Sequence, residues 1–388
     1  MIKRTLKLPE RKSCFLFGPR QTGKSTLVQS LLSKKDLYIN LLPQRTFLAY
    51  AREGGRFRDE IKAHTERHGA FTCVVDEIQR LPDLLNEVHD LIESTKVRFL
   101  LTGSSARKLR RGASNLLAGR AYTRHLHPLT PTEIGRAFDL ERALRFGCLP
   151  ALWNPPGEEN EREFLGTYAD VYLREEIQEE GIVRKIGPFA RFLDVAAAND
   201  GQIVNYSTVA RDCGVSVKTA QQYYQILDDT FLVLRVDGWH KSVRKQLITH
   251  PKYYLFDTGV TNALTHQLGP ALNPEARGRR FEQLVVSQVR AAIDYLGLDL
   301  KLHFWRTNAG AEVDLLFVRG NRILCAAEIK SSDSIASRDF RGLRSFSEAH
   351  PRVPLYLLVP RGLPRRAEGG MAVRAWTDFI EEELPHFT

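Results

Sequence analysis

The run Gly18-Pro19-Arg20-Gln21-Thr22-Gly23-Lys24-Ser25, followed by Thr26, sets two glycines, a lysine and neighbouring hydroxyls at a spacing that grips phosphate groups. Glycines let backbone N–H groups converge on the phosphate oxygens. Lys24 reaches the β and γ phosphates of a nucleotide, and the Ser25 hydroxyl ligates magnesium. Gly18 through Thr26 are therefore the expected nucleotide contacts. A second group is the acid pair Asp76-Glu77, which ends an apolar run. Asp76 is expected to hold magnesium through water and Glu77 to orient and deprotonate the attacking water, so the two motifs together suit hydrolysis of ATP. Thr102 and Ser104, at the end of another apolar run, are candidates for sensing the γ-phosphate. Arg107, Arg111 and Arg120 follow, each able to neutralise transition-state charge on its own subunit's nucleotide or on a neighbour's.

A third group lies far downstream: Glu282, Asp314 and Glu328-Ile329-Lys330. In a strand, Glu328 and Lys330 share one face while Ile329 packs behind and offers its carbonyl. The carboxylates of Glu282, Asp314 and Glu328 with that carbonyl are hard ligands for magnesium, or for manganese. Lys330 can position or deprotonate water, which completes the needs of metal-dependent phosphodiester cleavage. The same pattern also suits solvated strand ends, or a fold now used only to bind.

The elements that carry these groups follow from hydrophobic period. Short apolar runs at Cys14 to Phe17, Tyr38 to Leu41, Phe71 to Val75 and Val97 to Leu101 alternate with helical stretches, the signature of a parallel sheet covered on both faces. The phosphate-gripping run thus joins a strand to a helix from Lys24 to Leu32, whose N-terminus adds partial positive charge. From about 130 to 200 the spacing is helical, through Glu161 to Glu180 and Ile186 to Ala198, and reads as a lid or connector. Tyr206 to Cys213, capped by Ser207, then Gly214 as the turn and a second helix capped by Ser216, read as a helix-turn-helix. Ala220, Tyr223, Tyr224 and Leu227 have core spacing there, leaving Lys218, Thr219, Gln221, Gln222 and Gln225 for a partner. A wing is expected in Phe231 to Val236, before the basic stretch His240 to Lys245, whose Lys241, Arg244 and Lys245 suit DNA phosphates. Glu282 falls on a long helix from Gly278 to Leu296, and Asp314 on the strand Glu312 to Phe317. The expected domains are 1–140, 141–200, 201–258 and 259–388.

Composition limits what these sites can serve. At 388 residues, 43% hydrophobic and 26% charged, the chain can bury more than one core. No apolar run approaches the roughly 18 to 20 residues needed to span a bilayer, so no membrane partner is expected. The N-terminal residues lack the apolar stretch of a secretory signal, which points to the cytoplasm. Cys14, Cys73, Cys148, Cys213 and Cys325 are scattered, as reduced buried thiols would be, and make no zinc-binding pair. A net charge of +10 and a pI near 9.4 favour an acidic partner such as DNA.

Taken together, G-P-R-Q-T-G-K-S-T, V-V-D-E-I-Q-R, L-T-G-S-S, L-A-G-R-A and H-P-L-T-P-T-E resemble the prokaryotic AAA-superfamily ATPases that carry a C-terminal domain of unknown function related to PD-(D/E)xK nucleases. The resemblance covers nearly the whole chain. It implies a multidomain α/β protein: an AAA-type P-loop sheet, a helical connector, a winged helix and a restriction-endonuclease-like α/β domain. It also implies ATP and magnesium as cofactors, and a homo-oligomer as one possible assembly. Within it, the arginine of the A-G-R element, Arg120, becomes the expected nucleotide contact. Two functions follow: an ATP-hydrolysing protein that couples nucleotide state to DNA binding and metal-dependent cleavage, or a nucleotide-dependent switch whose nuclease-like domain is inert and only binds.

Overall fold

The computed structural model describes residues 2–107, 117, 119–153, 161–172, 186–240, 250–269, 271–332 and 334–387. The chain divides into two compact units, Met1–Leu129 with Ile226–Leu232, and Thr130–Gln225 with Val233–Thr388. Arg111, Lys241, Arg244 and Lys245 lie outside the described residues, as do residues 173–180 of the expected connector.

The first unit is built on five strands: β1 (Ser13–Phe17), β2 (Leu37–Asn40), β3 (Thr72–Asp76), β4 (Arg98–Gly103) and β5 (Ala121–His125), in the order β2-β3-β4-β1-β5. Every pairing in it is parallel. The continuous apolar runs arise because helices cover the sheet: Phe57, Ile61, Val88 and Leu91 pack with Cys73, Val75, Phe99 and Leu101 in one buried cluster. Each such side chain contributes roughly 1.5–3 kcal/mol by leaving water. β4, with Thr102 near its end, sits between β1 and β3. β5 was not legible, because Ala121–His125 is a half-exposed edge strand with no apolar run. Residues 226–232 close this unit: Phe231 stacks on Phe17 with ring centroids 5.5 Å apart, and the Asp229 carbonyl accepts from the Ala106 N–H at 3.1 Å.

The second unit carries β6 (Val233–Gly238), β7 (Lys252–Leu255), β8 (Lys301–Arg306), β9 (Glu312–Arg319), β10 (Arg322–Ile329), β11 (Leu355–Val359), β12 (Arg365–Arg366) and β13 (Ala372–Ala375). They form one mixed sheet in the order β12-β13-β11-β10-β9-β8-β6-β7. The stretch expected as a wing is thus divided: Phe231 and Leu232 belong to the first unit, and β6 pairs with β7 and, through Asp237 and Gly238, with β8. The described residues of the stretch expected as a connector belong to this same unit. Cys148 N–H donates to Asp257 Oδ2 at 2.7 Å and Asn262 Nδ2 donates to the Leu144 carbonyl at 2.9 Å. Gly147, with φ 77°, permits this approach, since a Cβ there would lie 1.9 Å from Asp257 Oδ1.

The stretch expected as a helix-turn-helix holds two helices, Tyr206–Cys213 and Val217–Asp229, with Gly214 between them in the left-handed region. The first helix is capped by Asn205, whose Oδ1 accepts from Ser207 and Thr208, and not by Ser207 itself. Ser216 caps the second, accepting from the Thr219 N–H at 3.1 Å. Ala220, Tyr223, Tyr224 and Leu227 are buried while Lys218, Gln221, Gln222 and Gln225 are exposed. Among the described residues no helix is long and apolar enough to cross a membrane.

Candidate nucleotide-binding site and a second acidic cluster

The phosphate-gripping run leaves β1 at a backbone conformation only glycine tolerates. Gly18 has φ 154°, and a Cβ on it would lie 2.2 Å from the Leu126 carbonyl oxygen. The run turns through Gln21 (φ 64°) and Gly23 (φ 89°) into the helix Lys24–Ser30. Lys24 is buried, and its ammonium donates to the carbonyls of Gly18 and Pro19 at 2.7 and 2.8 Å. Thr22 Oγ1 donates to the Pro19 carbonyl at 2.9 Å, and Arg4 Nη1 donates to the Thr22 carbonyl at 2.6 Å. The loop is therefore closed around the lysine. Ser25 is half-buried, Arg20 likewise, and Gln21 and Thr26 are exposed.

Strand register brings the acids to the same edge. Phe17 pairs with Gly103 and Val75 with Leu101, so the loop, Asp76 and Thr102 all stand at the carboxyl ends of their strands, where open α/β sheets bind ligands. Asp76 is almost wholly buried. Its Oδ1 accepts from the Thr102 hydroxyl, and its Oδ2 accepts from the Tyr38 hydroxyl at 2.5 Å. Tyr38 also faces Ser25 and Gln29, so one hydroxyl joins the two expected magnesium ligands; burial first, and then Asp76, push that phenol up to about 12. Glu77 adopts φ 61°, a strained conformation for a side chain of its size, costing roughly 1–2 kcal/mol. Its N–H donates to Thr102 Oγ1 at 3.2 Å, and its carboxylate accepts from Gln79.

Arg120 is placed elsewhere. Ala121 pairs with Ser13, at the start of β1, and the Arg120 guanidinium rests on Glu93. Counting four residue steps from Ser13 to Phe17, it lies roughly 13 Å from the level of the loop, on the opposite edge of the sheet. Arg107 is buried two residues after Ser105. Tyr38 and Gln79 were missed in the sequence: one sits in an apolar run where a phenol reads as packing, the other inside the turn after Glu77.

The second unit gathers Glu282 from the helix Pro274–Leu296, Asp314 from β9, and Glu328 and Lys330 at the end of β10. Asp314 Oδ2 accepts from the Ile329 N–H at 2.8 Å. Lys330 Nζ meets Glu328 Oε1 at 2.9 Å, whereas Glu328 Oε2 is buried with no hydrogen-bond partner. Burial, then Glu328 and Glu282, hold Asp314 well above the usual carboxylate range; burial also raises Glu328. Glu282, expected as a further ligand, has Oε1 engaged by the Tyr254 hydroxyl at 2.6 Å and by Lys252 at 3.4 Å. Lys252, which the sequence did not single out, is buried and also reaches Glu312 at 2.6 Å. Burial alone would lower its ammonium, yet Tyr254 and the acids around it hold it above its ordinary value.

Among the described residues no three His, Cys, Asp or Glu side chains stand at metal-holding spacing. Burial and the neighbouring acids favour the protonated forms of Asp314 and Glu328, and Glu328 Oε2 is buried without a hydrogen-bond partner.

Residues 10–135 match the AAA domain family. That match covers most of the first unit. Beyond that match, residues 137–270 and 277–376 match two domains of unknown function, DUF8612 and DUF4143. Uncharacterized proteins of Mycobacterium tuberculosis and Mycobacterium bovis are each 30% identical over 306 residues, 77% of this chain and 66% of theirs. An uncharacterized Haemophilus influenzae protein is 23% identical over 269 residues, 63% of this chain and 66% of its own. The chain thus spans about 66% of the length of the curated relatives it matches. Among solved structures, the Aeropyrum pernix ORC1 protein in complex with DNA superposes with a TM-score of 0.27 at 15% identity, covering 67% of this chain and 87% of that one. A Vibrio cholerae protein gives 0.22 at 13% identity, covering 97% of each. Scores this low carry no weight for a shared fold.

Proposed function

We propose that this chain binds and hydrolyses ATP and acts on DNA, coupling nucleotide state to DNA binding and to metal-dependent cleavage. The observation that carries the first step is the convergence of the Gly18–Ser25 loop, Asp76, Glu77 and Thr102 on one edge of the AAA sheet. On binding, the loop N–H groups take the phosphates and Lys24 exchanges its two carbonyls for β and γ oxygens. Ser25 and Asp76 would hold magnesium, which neutralises phosphate charge, and the Tyr38 hydroxyl yields its place on Asp76. Glu77 takes the proton of the attacking water, with Thr102 holding its backbone. Arg120, on the other edge, could meet a nucleotide only when presented by a second copy.

The link to DNA rests on residues 226–232. Ala106, two residues past Ser104, donates to the Asp229 carbonyl, and Asp229 ends the helix that exposes Lys218, Gln221, Gln222 and Gln225. The end of this helix is thus held, within the first unit, to the segment that follows β4, and its exposed side chains would be the ones to enter a groove. In the second unit, Asp314, Glu328 and the Ile329 carbonyl would hold magnesium or manganese, which supplies Lewis-acid polarisation of a phosphodiester, and Lys330 positions the water. One observation favours the alternative of a switch with an inert nuclease-like domain: Lys252 already places a cation against Glu282 and Glu312.

Two variants test the hydrolysis reading. Lys24→Ala abolishes tight ATP binding, whereas Glu77→Gln still binds ATP and turns it over at least ~100-fold more slowly. Unchanged turnover in Glu77→Gln would remove Glu77 from the mechanism.

A further inference from the structure

Gln79 plays no part in the steps above, yet its placement is costly. It is 5% exposed, and its Nε2 donates to Glu77 Oε2 and, at 3.1 Å, to Ser104 Oγ. A carboxylate can only accept, so the amide atom facing Glu77 is the nitrogen. That orientation leaves Gln79 Oε1 buried without a donor, a penalty that an apolar side chain of the same size would avoid. The turn is pinned on both sides of Gln79: Ile78 is fully buried, and Arg80 donates to the Leu41 and Leu42 carbonyls. Space for the amide is kept by Gly103, where a Cβ would lie 2.7 Å from Gln79 Oε1.

We propose that Gln79 is a positioning residue for the Glu77 general base. This rests on the ATP-hydrolysis reading and deepens it. The amide fixes Glu77 Oε2 and leaves Oε1 for the proton of the attacking water; an oriented base needs such a third group. Ser104 anchors the amide to β4, the strand whose Thr102 holds Asp76, so both acids are referenced to one element.

The test compares ATP turnover, and separately ATP affinity, in wild type, Gln79→Leu, Glu77→Gln and the double variant. Gln79→Leu keeps the volume and removes the unpaired oxygen, so the fold holds. Its kcat is expected to fall roughly 10- to 100-fold, the scale for a displaced catalytic group, with ATP affinity within about threefold of wild type. In the Glu77→Gln background the same change should do nothing further, because residues acting through one group are not additive. Gly103→Ala pushes the amide aside with Gln79 in place and should lower kcat in the same way, which covers a misfolded Gln79→Leu. Wild-type kcat in both folded variants overturns the proposal, as does a fully multiplicative loss in the double variant. A wild-type protein that hydrolyses no ATP removes the hydrolysis reading and this one with it; one that does, beside unaffected variants, removes Gln79 alone.

Discussion

At the edge of the parallel sheet, Asp76 and Glu77 are met by neutral donors, the hydroxyls of Tyr38 and Thr102 and the amide of Gln79, while Lys24 is turned toward backbone carbonyls. In the mixed sheet the acids are met by ammonium groups: Lys330 stands on Glu328, and Lys252 on Glu282 and Glu312. Neutral donors fix the direction of a carboxylate without cancelling its charge, whereas a buried lysine does both. On the function proposed above, the first site therefore keeps its charge for a cation that arrives with the nucleotide. The second is balanced largely within the chain, and its open demand narrows to Asp314 and Glu328. Counting acids does not separate a receptive site from a self-neutralised one; the identity of their partners does.

The largest effect that could break this contrast is at Asp314. If the residual charge of the second site recruits magnesium or manganese, Asp314→Ala should abolish cleavage of plasmid or single-stranded DNA, since magnesium replaces a lost oxygen ligand poorly. ATP turnover, in the other unit, should stay within about twofold of wild type. Chelation with EDTA stops both activities and cannot discriminate. Wild-type protein that cuts no linear, nicked, branched or single-stranded substrate with either metal, or an Asp314→Ala protein that cuts as well, leaves the self-neutralised switch in place.

The receptive site was the more legible of the two in sequence, for a physical reason. Its ligands are local: Gly18 to Ser25 is one strand-loop-helix unit, and Asp76-Glu77 ends a strand that pairs in parallel two places away, with only β4 between. Parallel pairing aligns strand ends, so the motifs could be brought together from the strand pattern alone. What escaped were partners supplied across strands, Tyr38 from β2 and Gln79 from a turn, because one side chain in an apolar run does not announce its direction. At the second site the three acids were legible in order along the chain, but Lys252 was not. It arrives on β7, whose strand partner β6 has the sequence pattern of a wing; the period of a strand does not say which sheet it joins. Helix ends were near misses of the same kind: Asn205 and Ser207 are both fit to cap, and the backbone chose the earlier.

The units should also differ in their response to pH. In the parallel-sheet unit Asp36 lies below its usual value, where donors from Ser33 and Thr72 outweigh burial. In the mixed-sheet unit burial raises Asp200 from 3.8 to about 7 and Asp257 to about 6, and Arg280, with Nη1 3.6 Å from Asp200 Oδ2, is too distant for a hydrogen bond that would reverse this. Between 3.8 and about 7 the folded chain thus holds protons at these sites that the unfolded chain has lost. Stability of this unit should fall as pH rises through that window, by up to about 1.4 kcal/mol per pH unit for each group while it titrates. Asp200→Asn keeps the acceptor for the Leu255 N–H and should flatten the slope by one group's share. Urea unfolding of wild type and variant at several pH values between 4 and 7 reads it; parallel slopes would place Asp200 outside the linkage.

The smallest expected effect is at Arg120, the residue whose position departs furthest from a nucleotide contact. Its partner Glu93 is 57% exposed and Arg120 itself 38%, and a pair so open to water is screened and contributes little. Arg120→Ala should leave the unfolding midpoint of the parallel-sheet unit unchanged. Its affinity for ATP should also match wild type, because the guanidinium stands on the edge of the sheet opposite the loop, beside the Ala121 that pairs with Ser13. A loss of ATP affinity in dilute protein, where copies do not meet, would contradict that placement. A loss of turnover that appears only as protein concentration rises, and is restored by adding Lys24→Ala copies that still carry Arg120, would instead assign the residue to a neighbour's nucleotide. The two outcomes separate an arginine of the site from an arginine lent between copies, which the geometry of a single chain already favours.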